Sequence, residues 1–452
     1  MFKTLFNAWK IPELRKKILY TLLLLAIFRF GCHITAPGVN LMNLQKISEY
    51  SQENPILNTV NIITGGAFSS FSIFALSISP YITASIVMQL LTFAIPALEE
   101  ISKEGENGRK RISQYTRYVA VILAAIEGFG IYMMYRNPNQ GIFIQNGALA
   151  PLMFVLTLAI GSALLMWIAD QLSSKGIGNG TSLLIFAGII SQLPQAATYL
   201  ASVAAGGTTG ILVVLGVLIG AILLIAGVIW VTEAERRIPV QYAKRVVGRK
   251  MYGGQSTHIP MKLAMAGVMP VIFAMSFMQL PAIIIQLINN DIMNATGFWA
   301  GVYKVFAFTS LQDVALINAT TGAFDWAVLG YGLLHILIYV ILIVAFTFFY
   351  TMGMAFNPIE VANNLKKNGG FIPGIRAGKP TSDYLSTVLT SITAFGSIFL
   401  AIVAVLPILT QFFGLSISFG GTAILIVVGV ALESVRQLES QMLTRHYKGF
   451  LE

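Results

Sequence analysis

Side chains able to do chemistry are few in this sequence, and they are poorly placed for catalysis. The four histidines, His33, His258, His335 and His446, lie far apart, and the single cysteine, Cys32, has no partner for a disulfide or a thiolate metal site. No HExxH, Walker A or GxSxG run occurs. The GIGNG run at 176–180 is only superficially like a phosphate loop, because it follows an apolar helical stretch rather than a strand. It reads as a tight turn in which Asn179 caps the next helix. Neither a catalytic cluster nor a metal or cofactor is expected. What remains is Arg29 and Glu127 inside long apolar runs, with Asp170 and Glu433 near the ends of others. Ionisable residues in such places are functional candidates by default. They could serve an ion-coupled transporter of a small solute, but the set is thin for a relay. The energy for transport is therefore expected to come from outside the chain.

The elements that must hold these residues are membrane spans. Of 452 residues, 56% are hydrophobic and 11% charged, against about 25% charged in soluble domains. Ten spans are predicted, at about 18–37, 73–97, 116–136, 152–172, 181–200, 210–232, 263–287, 329–353, 384–406 and 416–436. The fifth, which holds Pro194, is the weakest. A cleavable signal peptide is not expected: residues 1–17 form a basic amphipathic stretch that runs straight into the first span. The formal charge of +10 has a topological origin. Lys and Arg crowd into the N-terminus, the 98–117, 233–262 and 354–383 loops, Lys175 and the 437–452 tail with Arg436, while the opposite loops hold only Lys46 and Lys304. By the positive-inside rule both termini and the basic loops are cytoplasmic. Ten spans with both ends inside divide into halves of five, 18–200 and 210–436. An odd number in each half makes any duplication an inverted one.

One stretch resists this scheme. No charge falls between Glu53 and Glu99, a run about twice the roughly 20 residues of one span. Two crossings there would invert every later loop and destroy the charge asymmetry, so the run crosses once. Its small, polar-flecked beginning, with Thr64, Gly65, Gly66 and Ser69, must then be re-entrant, interfacial or buried in protein.

Several segments, in order across nearly the whole chain, resemble the SecY/Sec61-alpha family of protein-conducting channels. They are NIITGGAFSSFSIFALSISPYITASIVMQLL at 61–91, GIGNGTSLLIFAGII at 176–190, RRIPVQYAKR at 236–245, QSTHIPMKLAMAGVMPVIF at 255–273, GIRAGKPTSDYL at 374–385 and GGTAILIVV at 420–428. The resemblance implies an all-α polytopic protein of ten transmembrane helices in two inverted pseudo-symmetric halves, with a short plug helix at about 58–72 that includes Asn61, Thr64, Gly65, Gly66, Phe68 and Ser69. It implies a pore ring of Ile82, Ile86, Ile185, Ile189, Ile272 and Ile426. Ile82/Ile86 and Ile185/Ile189 are each i,i+4 pairs and share a helix face. It implies a lateral gate between spans 2 and 7, near which Gln89, Glu127 and Ala264 would lie; Ala264 stands where the family commonly has asparagine. Arg376, Arg249 and Lys250 would dock cytoplasmic partners, and Ala377 replaces a customary proline beside Arg376. The implied partners are small SecE-like and SecG-like subunits, a SecA-like translocation ATPase, the ribosome, secretory and membrane-protein substrates and the lipid bilayer. The implied location is the bacterial plasma membrane.

Overall fold

The computed structural model describes residues 2–43, 61, 64–135, 142–143, 149–242, 245–247, 250–252, 256–288, 297–308, 325–412 and 421–448. Fifteen helices are named here. The first half holds α1 (Phe2–Lys10), α2 (Pro12–Gly31), α3 (Ser79–Ala94), α4 (Pro96–Lys103), α5 (Glu106–Tyr135), α6 (Leu149–Lys175), α7 (Gly180–Ile190) and α8 (Leu193–Ala204). The second half holds α9 (Thr208–Glu233), α10 (Met269–Ile288), α11 (Phe298–Phe306), α12 (Trp326–Tyr350), α13 (Pro358–Lys367), α14 (Lys379–Phe412) and α15 (Gly421–Lys448).

Among the described residues, six helical runs are long and apolar enough to cross a membrane: Glu106–Met133, Leu149–Lys175, Gly180–Ala204, Gly210–Glu233, Trp326–Lys367 and Lys379–Leu406. The pair α3–α4, bent by 100°, makes a seventh if taken as one, and Met269–Ile285 is a shorter apolar helix. The chain is thus a multi-pass helical membrane protein. Local chemistry sets where the helices start and stop. Helix α2 begins with Pro12 in its first turn, followed by Glu13, the arrangement a helix N-terminus favours. Asn179 accepts from the amides of Thr181 (3.0 Å) and Ser182 (3.4 Å) to start α7. Asp325 and Asn357 do the same for α12 and α13.

The second span departs from expectation. Its helix runs only from Ser79 to Ala94, not 73–97. Residues 64–78 are consecutive turns apart from one bridge residue, Ser72. Gly65 (φ +68°) and Gly66 (φ +87°) are left-handed, and so are Phe71 (φ +41°) and Ser77 (φ +52°). A helix cannot propagate through such residues. At the other end, Ile95 is extended before Pro96, as the residue preceding a proline prefers.

The 233–262 loop contains strands that the charge reading did not anticipate. They are β1 (Glu235–Tyr242), β2 (Arg245–Val247), β3 (Lys250–Tyr252) and β4 (Ser256–Lys262), with β5 (Gly370–Phe371) from the later basic loop. β1 pairs antiparallel with β4, Glu235 opposite Lys262 and Gln241 opposite Ser256, and with β5 on its other edge. Ile238, Val240 and Met261 bury against Leu365, Leu385 and Val388, so the sheet is rooted on α13 and α14.

Two groups of helices result. In the first, α5 packs on α3 and α6, and α7 on α2 and α6; in the second, α12 packs on α10 and α14, and α9 on α15. The groups meet along two seams, where α3 and α5 touch α10 and where α7 touches α15. Arg436 reinforces the α9–α15 contact by donating to the Thr232 carbonyl at 3.1 Å and pairing with Glu233 at 3.7 Å.

Close approach within the first group depends on missing side chains. A Cβ at Gly161 of α6 would overlap the Ile73 carbonyl, whereas Gly216 of α9 faces open space. Gly161→Val is expected to destabilise the solubilised protein by about 2 kcal/mol, as overpacking typically does, and Gly216→Val to leave it nearly unchanged. Thermal-shift measurement of both variants distinguishes the two.

Candidate functional site

The turns of 64–78 sit where the first group of helices converges, and local hydrogen bonds hold their shape. Asn61 Oδ1 accepts from the Ser69 amide at 2.9 Å, and the Asn61 carbonyl accepts from the Gly66 amide at 2.8 Å. The Thr64 hydroxyl accepts from the Phe68 amide at 3.3 Å and donates to the Asn61 carbonyl at 3.2 Å. Ser69 and Ser70 hydroxyls both donate to the Gly66 carbonyl. The segment is joined to the end of α2 by Ala36 N–H to Phe71 O (2.8 Å) and Ile73 N–H to Ile34 O (2.9 Å). Thr64, Gly65, Ala67, Phe68, Phe71, Ser72 and Phe74 are buried. Phe71 meets Tyr135 edge-on at 5.1 Å between ring centroids.

Five of the six singled-out isoleucines belong to one apolar cluster: Ile185 and Ile189 from α7, Ile272 from α10 and Ile426 from α15, with Ile82 of α3 packed against them. Ala67, Phe74 and Ile78 of the turn segment lie in the same cluster. Ile86 does not. It packs with Val271, Phe273, Ala274 and Phe346 in the neighbouring cluster of the second group, and Ile82 touches both. Branched aliphatic side chains drawn from both helix groups thus pack together with turn residues against them, and such a cluster can deform without breaking hydrogen bonds.

Gln89 lies one helical turn beyond Ile86 on α3. Its Nε2 donates to Ser85 Oγ at 3.2 Å, and its Oε1 is buried without a hydrogen-bond partner. Glu127 is partly buried on α5, and Ala264 stands in the turns between β4 and α10 with its carbonyl accepting from Gly267 N–H. No hydrogen bond among the described residues joins these three. Gln89 and Glu127 lie on the two helices, α3 and α5, that touch α10, and Ala264 lies in the turns that lead into α10.

The sequence pattern of the SecY family matches residues 72–435. The chain is 41% identical over 464 residues to the protein translocase subunit SecY of Streptomyces scabiei, and 41% identical over 466 residues to that of Mycobacterium bovis, spanning 100% of each partner in both pairs. The chain belongs to the SecY family. Among solved structures, a protein-conducting channel superposes with a TM-score of 0.62 at 19% identity, over 95% of this chain and 92% of its own. Sec61 of the canine ribosome–channel complex superposes with a TM-score of 0.58 at 18% identity, over the same shares. At those identities the likeness speaks to the fold.

On the side of the SecY-type fold that carries the basic loops, the candidate docking residues are spread over two loops. Arg376 is exposed between β5 and α14, and its carbonyl accepts from Thr381 Oγ1 at 2.8 Å, which fixes the backbone beneath an outward guanidinium. Lys250 lies on β3, and Arg249 falls outside the described residues. At the root of the sheet, burial pushes the Lys262 ammonium below its ordinary value and Arg436 adds to this, while Glu235, Glu433 and Glu233 oppose it. The GIGNG turn is structural. Gly178 N–H donates to Gln437 Oε1 of α15, Ile177 N–H to Thr21 Oγ1 of α2 (3.2 Å) and Gly180 N–H to Ser173 Oγ of α6 (2.8 Å).

Sequence reasoning missed Phe74 and Ile78 as members of the aliphatic cluster. The apolar run SIFALSI at 72–78 carries the signal, but it reads as helix unless the turns are known. A photo-crosslinker at position 82, 189 or 426 is expected to capture a translocating polypeptide stalled in the channel, and one at lipid-facing Ile222 of α9 is not. Absence of adducts at all three positions in an engaged channel would remove the constriction assignment.

Proposed function

We propose that this chain is the channel-forming subunit of a protein translocase. It would pass unfolded secretory polypeptides across the bacterial plasma membrane and release apolar membrane segments sideways into lipid. The observation that carries this reading is the single dry cluster in which Ile82, Ile185, Ile189, Ile272 and Ile426 meet the turn segment, at the junction of two helix groups. Unlike a solute site, such a ring offers no fixed polar contacts for a small ligand. It can seal around many different side chains and resist ions by dewetting. The relatives' designation as protein translocase subunits supports the same reading.

In this reading the chain crosses the membrane ten times with both termini in the cytoplasm. The seam between α3 and α10 is the sideways exit, with Gln89 and Glu127 as its polar points, and Ala264 in place of an amide makes it less polar. Residues 58–72 close the pore from outside. The basic loops receive a SecA-like ATPase and the ribosome, and small SecE-like and SecG-like subunits complete the complex. The chain itself performs no covalent chemistry, and the motor supplies the work. Arginine at position 376 suits both phosphate backbones and carboxylates through its fork of donors.

Arg376→Glu is expected to lower motor-driven translocation into proteoliposomes at least tenfold, the scale on which reversing one well-placed interfacial charge acts, while leaving the channel folded by thermal shift. Normal translocation by this variant would overturn the docking assignment. Uptake of a small solute driven by a proton or sodium gradient, with no dependence on the motor or a secretory polypeptide, would overturn the channel reading itself.

A further inference from the structure

We infer that Arg29 is a latch on the 64–78 segment and sets how readily that segment leaves the pore, and hence how strong a signal sequence must be to open it. The inference rests on the plug reading of that segment. Arg29 lies in the last turn of α2, at membrane depth. A guanidinium there carries five donors that need acceptors. Among the described residues no carboxylate forms an ion pair with it. Its Nη1 donates instead to the carbonyl of Gly65, at the start of the turns.

The placement of Gly65 is what makes this contact. Gly65 is left-handed and backs onto α7, where a Cβ would lie 3.0 Å from Gly188 Cα and 3.1 Å from Gly188 O. The close approach brings its carbonyl to the meeting point of α2 and α7. Ser191 Oγ stands 3.4 Å from the same carbonyl, but its one proton has a shorter bond, 2.7 Å, to Gly188 O. The charged contact therefore comes from Arg29 alone. A hydrogen bond from a charged donor is about twice as strong as a neutral one.

The remaining contacts of the segment are of a different kind. Ala67 and Phe74 pack in the aliphatic cluster, and Phe68 and Phe71 in the aromatic one around Tyr135 and Phe154. Apolar burial is non-directional, so it fixes how well the segment fits but only loosely where it stops. Arg29 fixes the position. When the segment leaves, the guanidinium gives up the Gly65 carbonyl at membrane depth, with the Cys32 side chain left as a weaker partner, a cost that the arriving apolar signal must offset. Arg29 is thus a positioning residue that acts through Gly65.

The test uses the full translocase complex in planar bilayers and proteoliposomes, with Arg29→Gln, Arg29→Lys, Ser191→Ala and a deletion of residues 60–70. Arg29→Gln is expected to raise resting ion conductance about tenfold, the factor that losing a hydrogen bond to a charged group supplies. It should also admit a preprotein whose signal core has been shortened. Arg29→Lys should fall between Arg29→Gln and the wild type, and Ser191→Ala should match the wild type. The deletion alone should leak, and Arg29→Gln added to it should leak no more. If the deletion leaks but Arg29→Gln and Arg29→Lys stay as tight and as selective as the wild type, the latch is wrong and the plug reading stands. If Arg29→Gln adds leak to the deletion, Arg29 acts elsewhere and the latch is again wrong. If the deletion does not leak, the plug reading fails and the latch with it. Should Arg29→Gln fail to assemble, Arg29→Lys alone decides: conductance equal to the wild type overturns the proposal.

Discussion

A backbone in lipid must satisfy its own polar groups, and the turns of 64–78 do so only through protein around them. Much of the first half follows from that constraint. Gly31 on α2, Gly161 on α6 and Gly65 in the turns lack side chains where Phe74, Ile73 and Gly188 come close. Ala36 and Ile34 satisfy Phe71 and Ile73 in the way an adjacent strand would. Serine and threonine hydroxyls close the turns from inside. A helix would have needed none of this, so turns at this depth have a use that a helix could not serve. On the proposed reading of this segment as a plug, turns without helical hydrogen bonds to break could shift as a body, provided the seat is shaped rather than sticky.

The second half is built on different terms. Helix α9 is apolar all round and scarcely buried, with Trp230 77% exposed, and it presents most of its surface outward to lipid. The buried contacts concentrate instead on α10, α12 and α14, where Phe273 meets Phe346 at 6.0 Å between ring centroids. The two halves therefore touch along seams rather than over a broad interface. On one seam the GIGNG turn ties α15 to α6, α7 and α2 through backbone donors. On the other, α3 and α5 meet α10, and α3 carries a buried, unpartnered acceptor at Gln89 Oε1. A buried polar atom left unpaired costs roughly 1–3 kcal/mol, a local cost on α3 that the GIGNG turn, with its amides paired, does not carry. On the proposed reading, the GIGNG seam would act as the hinge and the α3–α10 seam as the edge that opens sideways.

Large features were legible in the sequence because they answer to sums over many residues. Apolar length and loop charge yielded the multi-pass class, and Asn179 announced its own cap. The length of α3 was not legible, because Ile73 to Ile78 are apolar whether they form helix or turns. Left-handed φ at Phe71 and Ser77 is imposed by tertiary packing rather than by residue type. The sheet was hidden for the opposite reason. Its alternation at Ile238 and Val240 is short and embedded among charges that explained themselves by topology. Ile86 shares a helix face with Ile82, yet α3 crosses from one cluster to the next within that single turn, and no i,i+4 argument reports where a helix changes neighbours.

Contrast between the two kinds of contact explains how such a channel can be both tight and responsive. If apolar burial alone held 64–78, a tight seal would require a large area, and each added area would raise the barrier to opening in proportion. If polar contacts alone held it, each would leave an unsatisfied group in the open state. Here burial is spread over small and aromatic side chains, and a single charged donor from α2 reaches one carbonyl. On the plug reading, shape sets the seal and one bond sets the threshold. The two properties are then separable, because the isoleucines of the shared cluster and Arg29 lie on different helices.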